Sequence, residues 1–314
     1  METTRDENVI TLANVTKTVD GHDIARDLTF TVRRGELFGL IGPSGGGKTT
    51  TVRLMVGIYK ATAGEVRVFD TDPTRLSLKQ RQRIGYMPQH FFLYPTLTAS
   101  ENLAYIAGVY GIGWLRRRKV IPRVLRDMEL WDARDRLAND LSGGMLRRLQ
   151  LAAVMLHDPA LMFIDEPMAG LDPLLRERMW QILRGLRDHG STVVLTTQIT
   201  QEAERCDRVA LLKGGGLVAV GTPEELRLRA LGGQATRVLV GGRTHEAISI
   251  LWGEQDVSEV TPLGDNAIRI VTSEDHGTLQ RVLDNVRSRG ISVQAVEKTT
   301  PSFDEVFERL VRGA

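Results

Sequence analysis

A glycine-rich run is the first group of residues whose types and spacing could do chemistry: Gly42, Pro43, Ser44, Gly45, Gly46, Gly47, Lys48 and Thr49. It lies between the apolar residues 37–41 and a stretch predicted to be helical from Thr50. Glycines let successive backbone amides point at a polyphosphate, and the following helix adds its positive end. Lys48 can reach the outer phosphates, and Thr49 can offer a hydroxyl to a bridging magnesium ion. The run predicts a nucleotide-binding phosphate loop.

Two carboxylates provide a second chemical group. Four apolar residues, 161–164, predict a buried strand, and Asp165 and Glu166 follow directly. Asp165 is placed to hold magnesium through water, while Glu166 is placed to orient an attacking water and accept its proton. Such a pair also occurs at ordinary helix starts, but with the phosphate loop upstream it indicates nucleotide hydrolysis.

Two further motifs could contact phosphate or metal. Gln89 follows the predicted strand 84–87 and can offer its amide oxygen to the metal or to the water. The Ser-Gly-Gly motif, Ser142-Gly143-Gly144, opens a predicted helix and presents a hydroxyl and unencumbered amides at its positive end. It predicts a second anion site.

The elements that must position these residues alternate between strands and helices. Residues 10–18 and 28–32 read as an initial strand layer, and short apolar strands are predicted at 84–87, 161–164, 192–196 and 209–212. Asp172 before Pro173 and the box Thr222 to Glu225 predict helix starts. An α/β fold with a mostly parallel sheet follows. The segment from about 91 to 155 breaks the alternation and predicts an inserted helical subdomain.

The C-terminal region has a different pattern. After Gly232-Gly233 the pattern predicts, in order, a strand at 237–240, a helix at 244–252, strands near 257–261 and 267–271, a helix carrying Leu279 to Val286, and a strand at 291–297. This is the split pattern of a small α+β, ferredoxin-like domain. We therefore predict domains at 1–231 and 235–314, the second ending in a helix that Ser302 caps.

The composition narrows the classes of function. With 41 basic and 39 acidic side chains the net charge is +2, which gives no electrostatic reason to expect nucleic-acid binding. The single cysteine, Cys206, excludes an internal disulfide and suits a reducing compartment. The start, Met1 to Asn8, lacks the layout of a secretory signal, and no apolar run approaches the ~20 residues that cross a bilayer.

Residues from about Val9 to Leu231 resemble the ATP-binding subunit of an ABC transporter. Five motifs carry the resemblance: the phosphate loop, Gln89, the Ser-Gly-Gly motif, Asp165-Glu166 and Leu171-Asp172. The resemblance implies ATP and Mg²⁺ as cofactors, ATP hydrolysis, and a separate transmembrane permease at the cytoplasmic face of the membrane. It also implies a head-to-tail dimer, in which the Ser-Gly-Gly motif of one subunit touches the terminal phosphate held by the other. Asp172 is a further residue predicted to bind the nucleotide.

Three positions depart from the family pattern. Val19 stands where an aromatic ring stacks on adenine, Met145 where the signature has glutamine, and Gln198 where a histidine contacts the terminal phosphate. Either the site is catalytically impaired and works beside a more competent partner, or Glu166 supplies the base and Gln198 only hydrogen-bonds phosphate. We favour the second because Lys48, Asp165 and Glu166 are intact.

The pairing Ser-Gly-Gly-Met with Thr-Thr-Gln resembles the daunorubicin-resistance type of ATP-binding subunit, which implies export of drugs or lipids. Two other functions stay open: a nucleotide-binding subunit without turnover and a soluble ABC ATPase, although no long heptad repeat or second motif set is present. The aromatic cluster Phe91, Phe92 and Tyr94 directly after Gln89 is either the permease contact or a buried part of the helical subdomain.

Overall fold

A computed structural model describes residues 8–90, 92–273 and 277–312. Residues 1–7, Phe91, residues 274–276 and residues 313–314 lie outside the described part. Phe91 is one member of the predicted aromatic cluster, so that part of the prediction lies outside the described residues. The chain divides between Val220 and Gly221 into two compact units. This division lies before the predicted domain boundary, because helix α7 (Pro223–Leu231) belongs to the second unit, where it packs against the terminal helix α10 (Phe303–Arg312).

The strands of the first unit form a mixed sheet. In the described part of the chain it has nine members: β1 Asn8–Val19, β2 His22–Arg33, β3 Leu37–Ile41, β4 Ala63–Val68, β5 Ile84–Met87, β6 Leu161–Asp165, β7 Thr192–Thr197, β8 Arg208–Lys213 and β9 Gly216–Gly221. Their order across the sheet is β4-β1-β2-β9-β8-β3-β7-β6-β5. The pairs β3/β7, β3/β8, β6/β7 and β5/β6 are parallel, as predicted, whereas β1 pairs antiparallel with β2 and β4.

Two of these strands, β4 and β9, are not predicted by the apolar pattern. β4 exposes Ala63, Gly64 and Glu65, and β9 begins with glycine and buries few of its side chains. A strand that buries little apolar surface carries no clear alternation, so neighbouring strands rather than its own sequence define it.

Helices flank this sheet: α1 Lys48–Val56, α2 Leu78–Arg81, α3 Ala99–Val109, α4 Trp114–Asp127, α5 Gly143–Met155 and α6 Pro173–Asp188. α1 begins two residues before the predicted start, which places Lys48 in its first turn. α3, α4 and α5 pack against one another, which confirms the helical subdomain. The predicted starts at Asp172 and Thr222 are confirmed, since each side chain accepts a backbone hydrogen bond as an N-cap.

The core of the first unit surrounds its central strands. All residues of β3, β6 and β7 are buried, as expected for parallel strands covered on both faces. From α1, Val52, Leu54 and Met55 pack into the same core. Because the carboxyl ends of parallel strands meet at one edge of a sheet, this core brings the loops after β3, β6 and β7 together.

The second unit has the predicted strand-helix-strand-strand-helix-strand order. After α7 its elements are β10 Gln234–Val240, α8 Thr244–Trp252, β11 Val257–Pro262, β12 Ala267–Thr272, α9 Thr278–Ser288, β13 Val293–Lys298 and α10. The antiparallel sheet has the order β11-β12-β10-β13, so the first and third strands of the unit lie in the middle. This is a ferredoxin-like arrangement with apolar side chains of α8 and α9 in its core.

Across the described ranges, no helix combines the length and apolar character that a membrane crossing requires. The thiol of Cys206 is free and buried, and burial raises its pKa.

Candidate nucleotide-binding site

The phosphate loop joins β3 to α1, and two of its glycines are required by geometry. A Cβ on Gly42 would lie 2.0 Å from the backbone oxygen of Leu212. Gly47 has a φ of 94°, a left-handed conformation, and occupies the N-cap of α1 without any side-chain cap. The first amides of α1 consequently have no capping side chain and are available to an anion.

Lys48 lies inside the curve of this loop. Its ammonium donates hydrogen bonds to the carbonyl oxygens of Gly42 at 2.9 Å and Pro43 at 3.0 Å, and its Nζ is 3.9 Å from Oε1 of Glu166. Burial lowers the pKa of Lys48, and the carboxylates of Glu166 and Asp165 oppose that shift. Neutral carbonyls that hold the amine are easily exchanged for phosphate oxygens, which would restore a full countercharge.

Asp165 and Thr49, the residues predicted to hold magnesium, lie in contact with each other. Asp165, the last residue of β6, is fully buried, and its Oδ1 accepts hydrogen bonds from Thr49 Oγ1 at 3.2 Å and from Thr196 Oγ1. Its Oδ2 is buried without a hydrogen-bond partner among the described residues. A buried carboxylate oxygen beside a hydroxyl fits Mg²⁺, which takes few protein ligands and completes its shell with water and phosphate. Accordingly, the described residues contain no cluster of three or more His, Cys, Asp or Glu side chains suited to a metal.

Glu166 follows β6 in an unusual backbone conformation. Its φ is 50°, a left-handed value that is rare for a residue with a side chain, and its N–H donates to Thr196 Oγ1 at 2.9 Å. Two amides hold its carboxylate: Gln198 Nε2 donates to Oε1 at 2.7 Å, and Gln89 Nε2 donates to Oε2 at 3.3 Å. Strained residues of this kind persist where surrounding contacts determine them, often at functional sites.

These side chains face an open cavity of roughly 490 Å³. Its wall consists of Asp23, Ile24, Ser44, Gly45, Gly46, Gly47, Lys48, Thr49, Thr50, Gln89, Glu166, Gln198, Gly214 and Gly215. The structure thus brings most predicted residues of one subunit to one cavity. Gly42, Pro43 and Asp165 lie behind its wall, where they contact Lys48 and Thr49.

Four wall residues were missed by sequence reasoning. Asp23 and Ile24 lie at the start of β2, and Gly214 and Gly215 form the turn between β8 and β9. The run of three glycines after Lys213 was the available signal for that turn, but nothing in the sequence places it beside the phosphate loop. In the structure, the backbone of Gly215 donates to Gly46 O at 3.3 Å.

Val19 is not part of the cavity wall. It pairs with His22 at the end of the β1–β2 hairpin, and 38% of its surface is exposed. The wall on this side is formed by Asp23 and Ile24 instead. A contact between Val19 and adenine stays a prediction.

The Ser-Gly-Gly motif and Asp172 also lie away from the cavity wall. Ser142 is the N-cap of α5, where its Oγ accepts from the backbone of Met145 at 3.3 Å, and both Ser142 and Gly143 are exposed. Asp172 is the exposed N-cap of α6 and accepts from the backbone of Leu175 at 3.0 Å. The predicted site residues therefore form two groups, one around the cavity and one at exposed helix starts.

The site has a glycine-rich loop between a buried parallel strand and a helix, Lys-Thr in the first turn of that helix, and a buried carboxylate two strands away. This is the arrangement of phosphate-loop nucleotide-binding proteins. The sequence model of the family described as "ABC transporter" matches residues 25–169.

Curated relatives support the same assignment over more of the chain. The daunorubicin/doxorubicin resistance ATP-binding protein DrrA of Streptomyces peucetius is 35% identical over 305 residues, 95% of this chain and 89% of that protein. The Nod factor export ATP-binding protein I of Rhizobium sp. (strain N33) is 34% identical over 96% of both chains. The chain belongs to the ABC transporter ATP-binding proteins, a family of ATPases, and the resemblance to the daunorubicin-resistance type is confirmed.

A longer relative matches in part. The probable multidrug ABC transporter ATP-binding protein YbhF of Escherichia coli (strain K12) is 38% identical over 230 residues, which are 73% of this chain. This chain spans only 40% of the length of that relative.

Solved structures confirm the expected fold. The ATP-binding subunit of an ABC transporter aligns with a TM-score of 0.64 and 28% identity, over 70% of this chain and 92% of that one. The cassette MJ0796, solved as a dimer in a post-hydrolysis state with ADP and phosphate, aligns with a TM-score of 0.62 and 29% identity, over 68% and 98%.

Proposed function

We propose that this chain binds ATP in the cavity at the phosphate loop and hydrolyses it, with Glu166 as the residue that orients and deprotonates the attacking water. The observation that carries the proposal is the position of the Glu166 carboxylate, 3.9 Å from Lys48 Nζ and at the cavity wall. Lys48 and the amides of α1 would bind the outer phosphates, so the carboxylate lies beside the terminal phosphate.

In the reaction, a water oxygen attacks the terminal phosphorus, and the bond to the oxygen that ADP retains breaks. Glu166 takes the proton of the water, and Lys48 offsets charge on the phosphate oxygens. Bound Mg²⁺ would neutralise phosphate charge, held by Thr49 and by Asp165 through water, with the amide oxygen of Gln89 as a further ligand.

Gln198 supports the active interpretation over the impaired one. Its amide donates to the Glu166 carboxylate at 2.7 Å, so it can hold the base in place without carrying a proton itself. Glu166 then supplies the base, and Gln198 keeps a hydrogen bond for the carboxylate or for phosphate.

Steady-state ATP turnover by the purified protein tests the proposal. Glu166→Gln preserves the shape of the side chain but removes the base, so we expect turnover to fall at least about 100-fold while ATP binding is retained. Glu65→Gln, a matched change at an exposed ion pair on β4, is the control and should keep wild-type turnover. Equally negligible rates for the wild type and Glu166→Gln would contradict hydrolysis and favour the impaired subunit.

We further propose that two copies close head to tail on two nucleotides. Ser142 and Gly143 of the Ser-Gly-Gly motif are exposed, as is Asp172, and these residues lie off the cavity of their own chain, so a second chain would bring them to a nucleotide. The relative MJ0796 was solved as a dimer with ADP and phosphate. An identical partner is the simplest arrangement that supplies both halves.

The closure would drive a separate transmembrane permease from the cytoplasmic face, for export of a drug-like or lipid-like compound. Support comes from two relatives whose names refer to Nod factor export and to daunorubicin/doxorubicin resistance. In the helical subdomain, Tyr94 and Tyr105 are about half exposed and meet edge to face, and Val109, Trp114 and Leu115 are more exposed still. Phe92 is only half-buried. This surface suits an apolar partner helix, and copurification with a polytopic membrane protein would separate the transporter from a soluble ABC ATPase.

A further inference from the structure

A buried arginine lies behind the part of the cavity wall formed by Gln89 and Glu166, and it has no part in the chemistry described above. Arg147 is in the second turn of α5, the helix that the Ser-Gly-Gly motif opens, and only 3% of its surface is exposed. Burial lowers its pKa, although the carboxylates of Asp165 and Glu166 oppose the shift. An arginine is rarely buried to this extent unless hydrogen bonds compensate the loss of water.

The hydrogen bonds of Arg147 reach the backbone of the catalytic loops. Its Nη1 donates to the carbonyl of Gln89 at 2.9 Å, while its Nη2 donates to the carbonyl of Glu166 and, at 3.4 Å, to that of Asp165. One guanidinium thus holds the main chain of three residues whose side chains are assigned to metal, water and base. The planar fork of arginine suits such divergent acceptors, whereas an ammonium would act as a point donor.

Gln150 extends the same connection. It is fully buried, accepts from Arg147 Nη1 at 3.2 Å through Oε1, and donates to the carbonyl of His90 at 3.2 Å through Nε2. Both ends of the loop segment Gln89-His90 are therefore held from α5.

The conformation of Glu166 explains why such a hold matters. Its left-handed φ of 50° is unfavourable for a residue with a side chain, and it persists only where contacts on both sides determine it. Thr196 holds the N–H of Glu166, and the carbonyl of Glu166 accepts from Arg147 and, at 3.3 Å, from the backbone N–H of Ala169. Without Arg147, the longer hydrogen bond from Ala169 is left to restrain the peptide after Glu166, which can then rotate more easily and carry the carboxylate away from the cavity.

We propose that Arg147 is a positioning residue that, together with Gln150, fixes the loops of Gln89 and Glu166 from helix α5. This inference rests on the proposed function, in which the Ser-Gly-Gly motif contacts the nucleotide of the partner. Helix α5 then links that motif to the loops of Gln89 and Glu166 in its own chain. A movement of α5 on engagement of the second nucleotide would then shift Glu166 directly.

The test compares Arg147→Met with Arg148→Met. Arg148 is the next residue of α5, is also largely buried, and donates to the carbonyl of Met128 at 2.8 Å, away from the cavity. For Arg147→Met we expect kcat for ATP to fall at least about tenfold with the Kd for ATP changed less than about twofold, because the phosphate loop is untouched. Arg147→Lys should recover part of kcat, since one carbonyl can still be bound. The Arg148→Met variant provides the loss of kcat that accompanies destabilisation of α5 alone.

Amide hydrogen exchange of the full nucleotide-free chain gives a readout that does not depend on turnover. Arg147→Met should speed exchange in peptides that cover 87–90 and 165–169 but not in the phosphate loop, and Arg148→Met should leave all three unchanged. Equal exchange in the two variants, or an unaltered kcat in Arg147→Met, would overturn the proposal. A wild type without ATP turnover would instead contradict the proposed function, while the exchange pattern would still decide the role of Arg147.

Discussion

Gln198, which stands where we expect a histidine in the family, contacts the carboxylate of Glu166. The hydrogen bond from the Gln198 amide to the Glu166 carboxylate involves a donor that does not titrate. A histidine in that place would change its charge near pH 6.5, its ordinary pKa. The orientation of Glu166 by residue 198 should accordingly be independent of pH in this protein.

Gln198→His tests that expectation. The variant should acquire a transition in the pH profile of kcat near pH 6.5, within about one unit, that the wild-type profile lacks. The measurement is steady-state ATP turnover of both proteins, assayed at pH values from about 5.5 to about 9. Profiles of the same shape would show that residue 198 does not touch the catalytic carboxylate.

In the C-terminal unit, a network of charged side chains joins strands β11 and β12 to helix α10, in addition to apolar contacts. Glu259 of β11 accepts from Arg309 of α10 at 2.7 Å and from Arg269 of β12 at 3.0 Å. Glu305 of α10 binds the same two arginines. Hydrogen bonds to Glu259 from Arg309 above all, and then from Thr261 and Arg269, lower its pKa to about 2.

The lowered pKa predicts an acid-sensitive contribution to stability. Since the folded-state pKa lies below the ordinary value of 4.5, the stabilisation is complete above pH 4.5 and is lost as the pH falls towards 2. Glu259→Gln should reduce the free energy of unfolding at pH 7 by roughly 1 to 2 kcal/mol, with solvent screening of this partly exposed network allowed for. Denaturant unfolding of both proteins at neutral and acidic pH measures the difference, which should shrink with acidification. A constant difference would mean that the Glu259 charge is not the cause.

The whole molecule contains two groups of residues proposed to bind phosphate, and its own fold does not bring them to one cavity. The phosphate loop with Glu166 faces the cavity, while Ser142 and Gly143 are exposed at the start of α5. If both groups bind phosphate as proposed, a single chain leaves the second group without a nucleotide, which a second copy would supply.

Sedimentation of Glu166→Gln with ATP and Mg²⁺ tests the assembly. Because the nucleotide is retained in this variant, we expect a shift from monomer to dimer on addition of ATP. Adding Gly143→Glu should abolish the shift without weakening ATP binding to the monomer, since the new carboxylate would face phosphate of the other subunit. The added Cβ has no neighbour within 4 Å and Gly143 has no positive φ, so the variant should fold. A double variant that dimerises as before would contradict head-to-tail closure through this motif.

Local chemistry made much of the protein predictable. The phosphate loop, the strand before Asp165-Glu166 and the caps at Asp172 and Thr222 are each encoded within a few residues, because glycine conformation, apolar runs and capping side chains act over short distances. The ferredoxin-like order of the second unit follows from the same kind of pattern. The strands β4 and β9, which bury little apolar surface, carry no such signal.

Tertiary structure decided which residues meet. Ile24 and Gly215 reach the cavity through the pairing of β2, β8 and β9, and Val19, which pairs with His22 at the hairpin end, is not part of the cavity wall. Arg147 reads in the sequence as one of many charged helix residues, yet it lies against carbonyls 58 and 19 residues away. Side-chain type and spacing determine local conformation, whereas contacts between distant segments depend on how strands pair and helices pack, which no single stretch of sequence specifies.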